Sequence, residues 1–219
     1  RLFLTMAKII GFSGLAGSGK DTAADVLCAK SNSYKKISFG DAVKDVVAAS
    51  FGWDRKLLQG DTVESRQFRE TKDEFWSEVL GKEFTPRLAL QLIGTECFRN
   101  TIDNAFWVYA LKHRLANSDY DGTYLITDVR FPNEVNMIHD LDGVVYRIKR
   151  GELPKWYIAA QKYNVAKARG EDVELPDLLK QVHASERSLA GLCLEDFTIY
   201  NNGTLEEYQQ TVLDLILKD

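Results

Sequence analysis

A glycine-rich stretch near the amino terminus constrains the fold of this chain more than any other feature. The stretch 14–22 reads GLAGSGKDT, follows the apolar run 9–13 and precedes a helical pattern that extends to Lys30. Glycines let the backbone wrap around an anion with its N–H groups pointing inward, and the start of the helix adds partial positive charge there. A strand, a glycine loop and a helix in this order predict a phosphate-binding loop, or P-loop.

The P-loop supplies the predicted nucleotide-binding residues, with Lys20 able to reach the β- and γ-phosphates. The full set is Gly14, Ala16, Gly17, Ser18, Gly19, Lys20, Asp21 and Thr22. The common motif has Ser or Thr directly after the lysine, where its hydroxyl meets Mg²⁺, whereas here Asp21 precedes Thr22. A carboxylate is also a hard oxygen ligand for Mg²⁺, so Asp21 and Thr22 are both candidate metal ligands. The alternative, a glycine-rich turn before an ordinary helix, leaves the combination of glycines and lysine unexplained.

Composition excludes several function classes. The net charge of −4 argues against direct nucleic-acid binding, which requires a basic surface. No apolar stretch approaches transmembrane length, so we expect no membrane association. Three scattered cysteines without metal spacing predict reduced thiols and a cytoplasmic location. Residues 1–5 precede Met6 and suggest an upstream extension or a cloning remnant.

Strand and helix patterns alternate along the chain, which predicts an α/β fold. The strands are expected at 8–13, 34–39, 123–127, 143–149 and 197–200. This alternation is typical of a three-layer α/β/α P-loop NTPase fold with about five parallel strands. We expect one domain over residues 6–219. Its parts are a core of 6–53 and 119–219, a helical acceptor-binding insertion of about 54–118, and a lid of about 150–186.

Local signals predict where several helices begin. Asp41 is expected to cap a helix that ends near residue 51, and the charged segment 64–80 is expected to form one helix. Thr85 is the predicted N-cap of the next helix, with proline in its first turn. Thr204 and Glu207 form the capping-box pattern of the last helix.

Charged side chains follow the predicted strands at the edge where ligands bind in open α/β sheets. Asp128 stands where an apolar strand ends, a usual position for handling Mg²⁺ in P-loop proteins, and Arg130 follows at the same rim. Lys44 lies in the first turn of a helix beyond another strand. The alternatives are that Asp128 caps the following helix and that Lys44 is a solvated surface lysine.

The polar segment after residue 150 is interpreted as a lid that closes over phosphates. Arg147, Arg150 and Arg187 flank this segment and are candidates to stabilise charge on the transferring group. Taken singly, each arginine is better explained by pairing with a nearby carboxylate such as Glu152 or Glu186.

Taken together, the motifs resemble a known family over nearly the whole chain after Met6. Its landmarks are the segments 18–25, 40–45, 90–96, 128–130, 183–186 and 201–207, together with Trp107. Their order and spacing resemble the bacteriophage deoxynucleoside monophosphate kinases, within the P-loop nucleoside monophosphate kinase group. An aspartate directly after the P-loop lysine is itself common in this family.

The resemblance implies transfer of a phosphoryl group from ATP, with Mg²⁺, to a deoxynucleoside 5′-monophosphate, giving the diphosphate and ADP. It implies catalytic roles for Lys20, Asp128 and Arg130. The implied substrate-binding set is Lys44, Arg66, Arg87, Gly94, Thr95, Trp107, Asp128, Arg130 and Glu134. Arg69 lies one helical turn from Arg66 and is an alternative to it.

The resemblance also implies a place in DNA precursor synthesis, in the host-cell cytoplasm if the protein is phage-encoded. A homodimer is common among relatives, and the sequence shows neither an interface nor the preferred base. Two alternatives stay open: another small-molecule P-loop kinase, of the dephospho-coenzyme A or phosphomevalonate type, and a nucleotide-binding module without catalysis.

Overall fold

The protein divides into two units in a computed structural model that describes residues 7–217. Among these residues, the first unit comprises 7–38 and 118–217, and the second comprises Phe39–Asn117. The second unit thus begins before residue 54, the predicted start of the helical insertion. The interpretation of residues 1–5 concerns a segment outside the described residues.

The first unit is built on one parallel sheet, as the sequence predicted. Its strands are β1 (Lys8–Ser13), β2 (Tyr34–Ile37), β3 (Thr123–Val129), β4 (Val144–Lys149) and β5 (Phe197–Tyr200). Their order is β2-β3-β1-β4-β5, and all four neighbouring pairs are parallel. The strand that leads into the P-loop is therefore the central one.

The helices of the two units are numbered in chain order. They are α1 (Lys20–Lys30), α2 (Gly40–Phe51), α3 (Val63–Glu70), α4 (Glu74–Leu80), α5 (Pro86–Gln91), α6 (Phe106–Ala116), α7 (Pro132–His139), α8 (Tyr157–Ala168), α9 (Asp177–Lys180), α10 (Ala184–Arg187) and α11 (Leu205–Ile216). A π-helix, Leu92–Cys97, directly follows α5. Within residues 7–217, none of the helices has the length and apolar character needed to cross a bilayer.

Two predicted helix boundaries are wrong. The helix α2 begins at Gly40 with Phe39 at the N-cap position, so Asp41 lies inside the first turn instead of capping it. Its charge there still interacts favourably with the helix dipole. The segment 64–80 forms two helices, because Asp73 interrupts it and accepts a hydrogen bond from the backbone N–H of Trp76 at 2.9 Å.

Two other start signals are confirmed. The hydroxyl of Thr85 accepts from the backbone N–H of Leu88 at 3.2 Å, with Pro86 in the first turn. Thr204 and Glu207 form the reciprocal capping box of α11, with bonds of 3.2 and 2.8 Å. Both signals act within three residues, which explains why the sequence alone reveals them.

Helices cover both faces of the sheet. Phe12 of β1 lies in an apolar cluster with Leu27 of α1 and Val212 of α11. Gly11 points to the opposite face, because side-chain directions alternate along a strand, and a Cβ there would lie 2.6 Å from Ile138 Cδ1 of α7. The structure therefore has the predicted three layers.

The second unit has a helical core of its own, rich in aromatic rings. Phe51 stacks on Trp53 with ring centroids 4.8 Å apart. The indole N–H of Trp53 donates to Asp73 Oδ2 at 2.8 Å, while Asp73 Oδ1 caps α4. One carboxylate thus links the aromatic cluster to the start of a helix.

Replacing this carboxylate should destabilise the second unit. Asp73→Ala removes a helix cap and leaves the Trp53 N–H without its acceptor, so we expect a loss of about 1 to 3 kcal/mol in unfolding free energy. Urea unfolding followed by tryptophan fluorescence measures this loss. Glu78→Ala, at an exposed position of the same helix, is the control and should change the unfolding free energy little. Equal stability of the two variants would contradict the role assigned to Asp73.

Candidate phosphate-binding site

The P-loop connects β1 to α1 and depends on its glycines. Gly14, Gly17 and Gly19 have φ angles of 137°, 74° and 109°, and residues other than glycine rarely adopt such values. A Cβ on Gly19 would also lie 2.5 Å from Asn201 Nδ2. The loop therefore needs glycine at this position both for its conformation and for its packing.

Ser18 presents a polar atom suited to a phosphate. Its backbone N–H donates to Leu15 O at 3.2 Å, and the residue is only 4% exposed. Its buried hydroxyl oxygen has no hydrogen-bond partner among the described residues. Buried hydroxyls are normally paired, so this one favours a ligand oxygen at the loop.

Lys20 lies buried at the start of α1. Its ammonium group donates to the carbonyl oxygens of Gly14 and Leu15, each at 2.9 Å. Its pKa is lowered to about 8, mainly by burial and then by the positive charge of Arg130, while the charges of Asp21, Glu186 and Asp128 act in the opposite direction. The group is therefore still mainly charged at neutral pH, ready to bind an anion.

The end of β3 carries the predicted acidic and basic residues. Asp128 is within the strand and is half-buried, while the N-cap of α7 is Phe131, so the interpretation of Asp128 as that cap is wrong. Glu134 is 2% exposed, and its carboxylate accepts from the backbone N–H groups of Arg130 at 2.7 Å and Phe131 at 3.1 Å. Glu134 thereby holds the turn that carries Arg130.

Arg130 is paired with the end of the predicted lid. Its guanidinium group forms an ion pair with Glu186 and lies 3.5 Å from the hydroxyl of Ser185. Glu186 also raises the pKa of Lys20 through its charge. One carboxylate of α10 thus acts on both cations of the site.

Two cavities flank the P-loop within the first unit. One has a volume of about 140 Å³ and is lined by Gly14, Ser18, Arg130, Arg150 and Glu186, among others. The other, of about 270 Å³, is lined by Ala16, Gly17, Trp156 and several residues that also line the first. Both cavities border the loop, which therefore has space for a ligand beside it.

The predicted lid has a small apolar core. Tyr157, Ala160, Leu179 and Ala190 form it, and Leu15 of the P-loop packs against it. Asn164 donates to the carbonyl oxygens of Arg187 at 2.7 Å and Ala190 at 3.0 Å. These contacts tie the lid segment to the chain that returns from it toward β5.

The three candidate arginines have different partners. Arg150 reaches Gly17 O at 3.4 Å and lines both cavities. Arg147 contacts the hydroxyl of Tyr157, and Arg187 lies over the ring of Tyr163, 5.9 Å from its centroid. Arg150 therefore contacts the loop itself, while Arg147 lines one of the cavities beside it.

In the second unit, Lys44 is not a solvated surface lysine. Its side chain is 14% exposed and donates to Gln59 at 3.2 Å, with Asp41 at 3.5 Å. Arg66 is exposed and donates to Asp61 O at 3.1 Å, while Arg87 forms an ion pair with Glu70.

Gly94, Thr95 and Trp107 come together around the π-helix. The indole N–H of Trp107 donates to Gly94 O at 2.7 Å, and Trp107 is 2% exposed. Gly94 thus lies inside a π-helix. Single-turn π-helices are rare and frequently occur at functional sites.

Residues that could hold a metal ion are few. Among residues 7–217, no three His, Cys, Asp or Glu side chains are grouped to bind one. Asp21 is exposed in the first turn of α1, beside half-buried Thr22. This donor set suits Mg²⁺, which usually takes one or two protein ligands and completes its shell with phosphates and water.

Two polar contacts of the P-loop were missed by the sequence analysis. Asn201 Nδ2 donates to Ser18 O at 2.8 Å, and the hydroxyl of Tyr208 donates to Gly19 O at 2.9 Å. In the sequence, Asn201 belongs to an Asn-Asn-Gly run and Tyr208 follows the capping box of the last predicted helix. The only available signal was the landmark segment 201–207, whose role the sequence does not explain.

The sheet and the loop define the class of this protein. A parallel sheet flanked by helices, with a lysine-bearing glycine loop after its central strand, is a P-loop α/β fold.

Two proteins with similar sequences indicate which kind of P-loop protein this chain resembles. The chain is 26% identical, over 218 residues and 95% of both chains, to a protein of Acanthamoeba polyphaga mimivirus provisionally named deoxynucleotide monophosphate kinase. It is 25% identical to the deoxynucleoside-5′-monophosphate kinase of Escherichia phage T5, over 67% of this chain and 80% of that protein. The resemblance to viral deoxynucleoside monophosphate kinases that the motifs predicted is confirmed.

Comparisons with protein families and with solved structures give no further information on function. No protein-family model matches the chain. A dephospho-CoA kinase from Campylobacter jejuni aligns over 98% of both chains with 13% identity and a TM-score of 0.44. A gluconokinase from Sinorhizobium meliloti 1021 aligns with 14% identity and a TM-score of 0.43, over 98% of this chain and 94% of that one. Scores this low carry no argument about this chain.

The lowered pKa of Lys20 predicts how nucleotide binding depends on pH. Below about pH 8 the free protein carries a charged Lys20, while above it the lysine must take up a proton to bind phosphate. ADP affinity should therefore be flat near pH 7 and fall by up to about tenfold per pH unit above about pH 8. Calorimetric titrations in buffers of different ionisation enthalpy measure both the affinity and the proton uptake.

The control for this titration is Lys20→Arg, whose guanidinium stays charged throughout. It should bind without the proton uptake that wild type shows above about pH 8. Wild-type protein whose affinity stays constant to about pH 9.5 would contradict the assigned pKa of Lys20.

Proposed function

We propose that the protein is a kinase that transfers the γ-phosphate of ATP to the 5′-phosphate of a deoxynucleoside monophosphate. The products are a deoxynucleoside diphosphate and ADP. The observation that carries the proposal is similarity over 95% of the chain to a protein with this kinase name, around a P-loop with a buried lysine. The phage T5 kinase supports the same assignment.

The P-loop would bind the donor. Its amides, the Ser18 hydroxyl and Lys20 are suited to the β- and γ-phosphates of ATP. Asp21 or Thr22 would hold Mg²⁺, with Asp128 at the end of β3. When bound, Mg²⁺ neutralises charge that develops on the phosphoryl group.

The acceptor would be held by basic residues together with the π-helix. Arginines suit this task because a guanidinium group binds a phosphate through two parallel hydrogen bonds. The proposed acceptor set is Lys44, Arg66, Arg87, Gly94, Thr95, Trp107, Asp128, Arg130 and Glu134. Within it, Glu134 acts through the backbone of Arg130, and Trp107 acts through the carbonyl of Gly94.

Catalysis in this proposal consists of positioning and charge neutralisation, since an acceptor phosphate oxygen is itself the nucleophile. Arg130, oriented by Glu134 and paired with Glu186, would stabilise charge on the transferring group. The segment 150–186 would exclude water, so that ATP is not hydrolysed. The proposal includes a cytoplasmic location and a role in DNA precursor supply.

A panel of acceptors tests the proposed reaction. Wild-type protein with Mg·ATP should convert at least one deoxynucleoside monophosphate to its diphosphate, faster than the matching ribonucleotide, as separated by chromatography. Lys20→Met should reduce turnover by about 100-fold or more, because it removes the charged group of the P-loop.

Two other results of the acceptor panel would favour the alternative functions. Turnover of dephospho-coenzyme A or phosphomevalonate, with no nucleotide accepted, would replace this function by another P-loop kinase. ADP formation that is independent of any acceptor would favour a nucleotide-binding module instead.

The bond from Trp107 to Gly94 predicts a selective effect on the acceptor. Trp107→Phe leaves Gly94 O without its indole donor, so the π-helix should lose its shape. We expect the KM for the deoxynucleotide to rise by about fivefold to tenfold, with the KM for ATP unchanged. Steady-state kinetics with each substrate varied in turn separates these effects.

Trp76→Phe is the matched control. It removes an indole N–H that donates to Phe51 O at 3.1 Å in the same unit, and Trp76 is not one of the proposed acceptor residues. Both variants should lose some stability, but only Trp107→Phe should change the acceptor KM. The same KM change in both would show a general effect of destabilising the unit.

A further inference from the structure

Two side chains from the end of the chain hold the P-loop by its carbonyl oxygens. Asn201, which follows β5, donates to Ser18 O at 2.8 Å, and Tyr208, in the second turn of α11, donates to Gly19 O at 2.9 Å. The two carbonyls are consecutive. We refer to Asn201 and Tyr208 together as the loop clamp.

The clamp acts on the peptide units whose N–H groups belong to Gly19 and Lys20. The described residues contain no cis peptide, so each carbonyl points opposite to the N–H of the next residue. Fixing Ser18 O and Gly19 O therefore fixes the directions of the Gly19 and Lys20 N–H groups. Lys20 begins α1, where N–H groups have no partner within the helix and suit an anion.

The clamp residues are themselves held firmly. Asn201 is 8% exposed, and its backbone N–H donates to Lys149 O at 2.8 Å. Tyr208 is 2% exposed and packs in the core cluster with Phe12 and Leu27. Burial raises the pKa of Tyr208, which keeps its hydroxyl protonated and able to donate.

Gly19 fits the clamp for a steric reason. A Cβ there would lie 2.5 Å from Asn201 Nδ2 and 3.1 Å from Tyr208 Cε1. Both clamp side chains thus lie directly against the glycine, and the capping box of Thr204 and Glu207 sets where α11 begins. The landmark segment 201–207, together with Tyr208, acquires a physical role in this way.

We propose that Asn201 and Tyr208 are positioning residues that pre-orient the phosphate-binding amides of Gly19 and Lys20. This inference rests on the proposed binding of ATP phosphates by the P-loop. Pre-orientation removes an ordering cost that the ligand would otherwise bear, so its loss weakens phosphate binding. The effect is specific to the donor, because neither residue is in the proposed acceptor set.

The test removes each donor group while keeping the shape of the side chain as far as possible. Tyr208→Phe deletes only the hydroxyl, and Asn201→Ala deletes the amide. Each should weaken Mg·ADP binding by about fivefold, and Mg·pyrophosphate binding by a similar factor, with the KM for the acceptor unchanged. NMR should show shifted amide resonances of Gly19 and Lys20 in both variants.

Tyr34→Phe is the control, since Tyr34 packs against the same core cluster from β2 and does not belong to the site. It should leave ADP binding and the two amide resonances unchanged. Thermal unfolding of all variants reports stability separately. Clamp variants that fold and bind ADP as tightly as wild type, whatever their stability, would overturn the proposal.

The binding measurement also separates this inference from the proposed reaction. If wild type binds Mg·ADP but phosphorylates no nucleotide, the proposed function fails and the clamp is still tested by affinity. If wild type phosphorylates deoxynucleotides while the clamp variants keep full affinity for ADP, only the clamp fails. Wild type that binds neither ADP nor pyrophosphate overturns both.

Discussion

The burial of the Lys20 ammonium group among the carbonyl oxygens of its own loop is the interaction on which the rest of the site depends. Removing a charge from water costs free energy, and two bonds of 2.9 Å to Gly14 and Leu15 offset only part of it, as the lowered pKa shows. A group held charged with so little solvation gains strongly from a bound anion. The glycine conformations, the central position of β1 and the start of α1 all serve this arrangement.

Two carboxylates near the P-loop interact with its positively charged side chains or with the backbone that carries them. Glu186 pairs with Arg130 and raises the pKa of Lys20, while Glu134 holds the backbone of the turn. Because Glu186 belongs to α10, at the end of the predicted lid, the electrostatics of the P-loop are linked to that segment. A phosphate that binds Arg130 would compete directly with Glu186, which connects ligand binding to the lid.

The sequence predicted most of the first unit because its signals are local. The alternation of apolar residues located the strands of this unit, and caps that act over three residues located α11 in it and α5 in the second unit. The division of 64–80 was missed although the Asp73 cap acts over three residues, and so was the bond that the same carboxylate accepts from Trp53, twenty residues earlier. The candidate site residues were predicted from motifs, but the contacts between them, such as those of Glu134 with Arg130 and of Trp107 with Gly94, were not.

The amino-acid sequence by itself determined the P-loop, its flanking strand and helix, and the parallel α/β class, since each follows from spacings of a few residues. Only the tertiary structure decided what holds the loop in shape. The bonds from Asn201 to Ser18 and from Tyr208 to Gly19 join residues 183 and 189 positions apart. No local pattern encodes such pairs, because they arise from the strand order that brings β4 beside β1 and β5 beside β4. Arg130 and Glu186, 56 positions apart, likewise meet only in the folded chain.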